Sequence, residues 1–191
     1  MNQELHTFSS QRADLRVCLS ALVILLAPSL LMAQTTKVTS AEGHYSVTFP
    51  APAERQGEPP KTVSGVTFST ETYTVALDGQ VFSTVFTSYQ GTSVNTEKEL
   101  QANVDNFAKV LSATGIKTKP TEYVSPWSSI PGIEFTCETD QLTFHGKFFV
   151  AGNDVWGIVY GARKGSESQA TKEQFFTSLE INRSRLKNEH G

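Results

Sequence analysis

The chain has 191 residues, of which 38% are hydrophobic, and its 16 basic and 19 acidic side chains give a formal net charge of −3. This length suits one domain with a substantial core, and the composition excludes a wholly disordered or collagen-like chain. The charge gives no electrostatic reason to expect binding to nucleic acid or to an anionic membrane.

Residues 1–33 have the layout of a secretory signal peptide. An apolar stretch from Val17 to Ala33 follows Arg12 and Arg16, and Pro28 interrupts it before it reaches the roughly 20 apolar residues of a spanning helix. We therefore expect cleavage after Ala33, export to the periplasm or the cell exterior, and no stable membrane span afterwards. Two acidic residues in the leader offset the arginines, so a retained anchor is the alternative.

Cleavage would leave Cys137 as the single cysteine, without a partner for an intrachain disulfide. Ile133, Phe135 and Cys137 are separated by single polar residues, so they share one face of a predicted strand. This pattern predicts that Cys137 is a small buried core residue rather than a reactive thiol.

The first part of the mature chain predicts strands with polar connections. Residues 34–42 are polar and are expected to be flexible, and Tyr45 to Phe49 alternate as a half-buried strand. Residues 51–61, rich in Pro, Glu and Gly, predict a surface loop. Between residues 63 and 77 the apolar positions change parity, which predicts a strand with a bulge or a break near residues 70–72.

A tight hairpin and a helix follow. Asp78-Gly79 is a preferred pair for a two-residue turn, and the partner strand, residues 81–89, is apolar on both faces. Residues 97–114 carry one apolar helical stripe, with Thr96 as the expected N-cap and Gly115 as the expected stop.

The remainder reads as a meander of strands and a closing helix. The strand 155–160 is apolar on both faces, which implies layers above and below the sheet. The expected elements are a strand at 117–124, a proline-bounded loop at 125–132, strands around Cys137 and at 142–150, a helix at 168–179 and a polar tail at 182–191.

Several short segments carry a resemblance to a known family. They are residues 43–50 (Gly-His-Tyr-Ser-Val-Thr-Phe-Pro), residues 131–135 (Pro-Gly-Ile-Glu-Phe), the aromatic residues Phe148, Phe149 and Trp156, and residues 176–179 (Phe-Thr-Ser-Leu). Together they resemble exported bacterial members of the Mog1/PsbP-like superfamily.

The resemblance implies one α+β domain over residues 43–181. Its fold would be an antiparallel sheet of about six to seven strands with helices on its faces, an α/β/α sandwich. It also implies a binding or assembly module rather than an enzyme. A lipocalin-like antiparallel barrel is the alternative fold, and the helix in the middle of the chain argues against it.

The residues needed for familiar catalytic or metal sites are not spaced to form them. His44, His145 and His190 have no short-range pairing, so neither a metal nor another cofactor is predicted. Glu134 and Glu138 share the polar face of one strand, about 13 Å apart, too far for concerted acid–base catalysis. His145 is expected at the surface.

Trp127 and Ile130 are the candidate partner-binding residues, because they stand in an expected loop between prolines. The partner would be a protein or an envelope component. Two alternatives stay open: Trp127 instead covers one end of the core, or the phenylalanine-rich faces enclose a small apolar ligand that the protein carries in the periplasm.

Overall fold

The computed structural model describes residues 35–42, 44–63, 65–91, 94–126 and 128–182. The expected signal peptide and the tail after Asn182 lie outside these residues. The elements are β1 (Thr36–Thr39), β2 (Tyr45–Phe49), β3 (Glu54–Val63), β4 (Val66–Leu77), β5 (Gln80–Gln90), α1 (Thr96–Leu111), β6 (Thr114–Ser125), β7 (Ser128–Glu138), β8 (Leu142–Ala151), β9 (Asp154–Arg163), α2 (Gln169–Thr177) and β10 (Glu180–Ile181).

Seven strands form the main sheet in the order β3-β4-β5-β9-β8-β7-β6, and all neighbours are antiparallel. The sheet is open, since its two end strands, β3 and β6, do not pair with each other in the described part of the chain. The predicted α+β class is therefore confirmed, and the lipocalin-like alternative is wrong.

Each face of the main sheet has its own apolar core. Helix α1 covers one face, where Leu100 and Val104 pack with Phe135 and Phe144. The other face is covered by α2 together with a second sheet of order β1-β2-β10, which the sequence did not predict. Strand β9 lies between both cores, as its two-sided apolar pattern predicts. None of the helices within the described ranges is long and apolar enough to cross a lipid bilayer.

Two segments expected to be irregular are strands. Thr36–Thr39, in the segment expected to be flexible, pairs with β2. The expected loop at 51–61 is largely the edge strand β3, whose register shifts between Glu58 and Lys61 around two prolines. Proline cannot donate a ladder hydrogen bond, but an edge strand with a bulge tolerates it.

The bulge or break expected near residues 70–72 is absent, because these residues pair regularly with β5. The change of apolar parity has another cause. Phe68 packs on Tyr89 near the α1 core, whereas Tyr73 and Val75 belong to the core on the opposite face. One regular strand therefore contributes to different cores in its two halves.

The hairpin prediction is confirmed, whereas the predicted ends of α1 are wrong. Asp78 and Gly79 both have positive φ, 50° and 75°, as a two-residue turn between β4 and β5 requires. The N-cap of α1 is Asn95, whose side chain accepts a hydrogen bond from the Lys98 amide, and the left-handed C-cap is Ser112. Gly115 instead lies in β6, with φ of 63°, at a register shift against β7.

Four phenylalanines stand directly opposite glycines in the antiparallel ladders. The pairs are Gly132 with Phe149, Phe135 with Gly146, Phe144 with Gly161, and Phe148 with Gly157. At each glycine, atoms of the facing ring occupy the position that a Cβ would need. These rings therefore lie over bare backbone and fill the space that a side chain on the glycine would need.

Candidate partner-binding edge

The hairpin that joins β6 to β7 is tighter than expected. Ser125 pairs with Ser128, so only two residues connect the strands, and the expected loop at 125–132 is mostly strand. Pro131 fits inside β7 because the pairing of β7 with β8 starts only at Gly132.

The two candidate binding residues have different outcomes. Ile130 is 0% exposed and belongs to the core beneath the second sheet, opposite Tyr123 on β6. It cannot contact a partner, because the alternation of β7 directs its side chain inward; this part of the prediction is wrong. Trp127 lies outside the described residues, so its role as an anchor stays a prediction.

Strand β6 carries exposed apolar side chains, one at each end, and Val124 is the one beside the hairpin. Val124 is 68% exposed and Ile116 is 43% exposed, and these are the large hydrophobic side chains that the described residues leave exposed. Sequence reasoning missed Val124. The adjacent Tyr123 packs against the core beneath the second sheet. Consecutive residues on a strand point to opposite faces, so Val124 has to point away from that core.

Strand β6 is the outermost strand on its side of the sheet, and every residue from Thr114 to Pro120 is exposed. Helix α1 packs mainly on β8 and β7, and α2 packs on β9 and β2. No strand of the described ranges pairs with the outer side of β6, so among these residues its outer backbone groups are available to another strand. The opposite edge, β3, is less suitable, because its bulge and two adjacent prolines interrupt the ladder.

Two lysines of β6 lie on the same face of the main sheet as the second sheet. Lys117 stands opposite Thr136, and Lys119 stands opposite Glu134. The Glu134 carboxylate is shared, since Lys119 Nζ lies 3.1 Å and Lys147 Nζ 3.8 Å from its oxygens. Within the described residues Lys117 has no ion pair. Two lysines thus share one carboxylate and a third, Lys117, lies nearby on the same face, so this face is locally positive.

His145 lies beside these lysines on β8. Burial lowers its pKa, and nearby Lys172 lowers the pKa further, whereas the glutamates Glu167 and Glu134 act in the opposite direction. The neutral imidazole is therefore favoured, and His145 adds little positive charge to this face near neutral pH.

Residues capable of nucleophilic or acid–base chemistry are kept apart. Cys137 and His145 are on neighbouring strands, but Cys137 faces the α1 core while His145 faces α2. Burial raises the pKa of the Cys137 thiol to about 11, and the Glu138 charge adds to this rise. Glu138 pairs with Lys164 at 3.0 Å, and Glu134 pairs with lysines as described above. Among the described residues no three His, Cys, Asp or Glu side chains form a group suited to a metal ion.

A buried carboxylate that the sequence did not predict joins the N-terminal segment to the main sheet. Glu71 on β4 accepts hydrogen bonds from Arg55 Nε at 2.7 Å, from the Tyr73 hydroxyl at 3.1 Å and from the Ala41 amide at 3.2 Å. Burial, followed by the charge of Glu71, raises the pKa of Tyr73. With three donors on its carboxylate, Glu71 is a structural residue.

A small hollow lies between β2 and α2, with a volume of about 180 Å³. Its apolar lining is Phe49, Pro50, Phe82 and Phe175, and its polar lining includes Thr48, Gln174 and Ser178. It has no titratable side chain in its lining.

No protein-family model matches this chain, and none of the curated proteins matches it.

Proposed function

We propose that this protein is an exported, non-enzymatic binding or assembly module of the Mog1/PsbP-like superfamily. Its contact surface is the edge strand β6 together with the β6–β7 hairpin, and its partner is a protein or an envelope component. The signal-like leader supports export. The order of strands, central helix, meander and closing helix supports the superfamily.

The observation that carries the proposal is the exposure of Val124, 68%, on a strand that no other strand of the described ranges covers on its outer side. Val124 is one residue from the two-residue connection that contains Trp127. Apolar side chains next to a rigid sheet edge are suited to anchoring a partner, because the scaffold loses little conformational freedom on binding. The separation of Cys137 from His145 and the ion pairs of Glu134 and Glu138 support a binding role over a catalytic one.

Site-specific photocrosslinking in the cells that naturally produce the protein tests this proposal. A photoreactive phenylalanine analogue replaces Val124 in one variant and Glu54, an exposed residue on the opposite edge strand β3, in the matched control. We expect a discrete adduct from position 124 that is absent from position 54. The adduct should decrease at least fivefold when Trp127→Ala is added. Equal adducts at both positions, or none at 124, would contradict the proposal.

A second candidate function, a carrier of a small apolar ligand, is favoured by the hollow between β2 and α2. Its volume of about 180 Å³ is below the roughly 300–1,000 Å³ of typical ligand pockets, so only a ligand of a few heavy atoms would fit without rearrangement. Native mass spectrometry of the protein purified from its own cells tests this function. A stoichiometric adduct that disappears in Phe82→Trp would support it, and a bare polypeptide mass would exclude it.

A further inference from the structure

We propose that β6 binds an extended acidic segment of a partner protein as an added strand, with alternate carboxylates of that segment facing Lys117 and Lys119. This inference rests on the proposed function and specifies the chemistry of the partner. It follows from the backbone, the side chains and the charge of one strand.

Pro120 indicates which backbone groups of β6 face its free side. Pro120 has no amide hydrogen, and a proline within a paired strand is accommodated when its nitrogen faces away from the neighbouring strand. In an antiparallel strand the N–H and C=O groups of one residue point to the same side, and the sides alternate along the chain. Thr118, Glu122 and Val124 share the parity of Pro120, so their backbone groups face the free side. They offer N–H and C=O groups to an incoming strand on either side of Pro120, which itself can offer only its C=O.

The side-chain step concerns Lys117 and Lys119, two residues apart on one face of β6. A strand added next to β6 lies about 4.7–4.9 Å away and repeats every two residues. Acidic residues at alternate positions of that strand then stand across from both lysines, and opposite charges stabilise such cross-strand pairs. The opposite face of the segment lies next to Val124, where an apolar residue fits.

The charge of the β6 lysines favours an acidic partner over a second copy of this chain. Lys119 shares Glu134 with Lys147, and Lys117 has no ion pair within the described residues, so positive charge is left for a partner. Antiparallel self-pairing centred on Thr118 would set Lys117 of each copy against Lys119 of the other. Lysines on an edge strand disfavour pairing with a neutral or basic strand, whereas an acidic strand neutralises them, so their charge favours a carboxylate-bearing partner.

Fluorescence anisotropy with a synthetic probe tests the inference. The probe is a fluorescein-labelled nine-residue peptide of alternating Glu and Val, and its matched control is the same peptide with N-methylated valines, which keeps the charges but blocks strand addition. We expect saturable binding of the probe and at least tenfold weaker binding of the methylated peptide.

Two protein variants test the role of the lysines. The double variant Lys117→Glu, Lys119→Glu should bind the probe at least tenfold more weakly, because two attractive cross-strand pairs become repulsive. The matched variant Lys98→Glu, Lys109→Glu makes the same charge change on exposed positions of α1 and should stay within twofold of the unmodified protein. Circular dichroism checks that both variants are folded.

Three outcomes would overturn the inference: equal binding of the methylated peptide, an equal loss in both double variants, or no binding of the probe. Sedimentation showing a dimer that the Lys117 and Lys119 substitutions abolish would assign the edge to a second copy instead. A Val124 adduct that depends on Trp127 while the peptide fails to bind leaves the proposed function intact and rejects this inference alone. Loss of the adduct rejects the proposed function.

Discussion

Four glycines of the main sheet stand where a phenylalanine ring on the neighbouring strand leaves no room for a Cβ atom. Gly157 on the central strand β9 stands opposite Phe148, and a Cβ at this position would lie 2.5 Å from a ring carbon of Phe148 and 2.6 Å from a methyl carbon of Val85. Real side chains do not approach so closely, so a larger residue would displace the ring from the α1 core.

We predict that Gly157→Ala destabilises the protein by about 1–3 kcal/mol, the usual cost of overpacking a core. The measurement is urea unfolding followed by tryptophan fluorescence. Gly57→Ala is the matched control on the edge strand β3, because its Cβ would meet only the end of the flexible Arg55 side chain, at 3.4 Å. Equal stability of the two variants would show that the ring moves aside at no cost.

At the scale of elements, the N-cap of α1 observed in the structure differs from the one that the sequence pattern predicts. The capping-box spacing assigns the N-cap to Thr96, whereas in the structure the Asn95 side chain accepts the Lys98 amide hydrogen at 3.0 Å. Asparagine and threonine are both good N-caps, so the residue types alone do not decide between them.

We predict that Asn95→Ala lowers the free energy of unfolding by about 1 kcal/mol, because it leaves an amide at the helix start without its acceptor. Thr96→Ala, one residue further on, should change it by less than about 0.5 kcal/mol, as expected for a substitution away from a cap. Chemical denaturation of both variants measures the difference. A larger loss for Thr96→Ala would reinstate the cap that the sequence predicts.

Elements with a strong local signal could be predicted from the sequence. The turn at Asp78-Gly79 needs two residues that tolerate positive φ, and the two-sided apolar pattern of β9 occurs only where both faces are covered. Strands β1 and β3 could not be predicted in this way. Their residues are mostly polar, and they are strands because a partner strand pairs with them.

Of the two residues predicted for the candidate site, Ile130 is buried, and the place of the site at this hairpin stays a prediction. Prolines at 126 and 131 indicated a loop, yet Pro131 is accommodated in β7 beyond the end of β8. This strand directs Ile130 inward, while Val124 on the neighbouring strand is exposed. A sequence shows that a residue is apolar, but its register against the next strand decides which face it occupies.

At the scale of the whole molecule, the second sheet connects the two ends of the described chain. β2 pairs with β1 on one side and with β10 on the other. Ile181 of β10 is buried in the core, and its amide donates to the Tyr123 hydroxyl at 3.1 Å. The short β10 therefore holds β2 and β6 in place.

We predict that a chain ending at Leu179 is less stable by about 2–4 kcal/mol, from the lost burial of isoleucine and the lost hydrogen bonds of β10. A chain ending at Asn182 retains β10 and is the matched control, expected to match the full chain. Thermal and urea unfolding compare the three. Equal stability of the Leu179 and Asn182 chains would mean that β10 contributes nothing to the fold.

The pairing of β2 with β10 has a consequence for biosynthesis. Synthesis runs from the N-terminus, so Tyr45, Val47 and Phe49 leave the ribosome more than a hundred residues before Ile181. Until β10 emerges, β2 lacks one of its two partner strands, and the core beneath the second sheet stays partly exposed to water. The second sheet is therefore completed only after most of the described chain has left the ribosome, and until then the apolar side chains of β2 are open to contacts with other molecules.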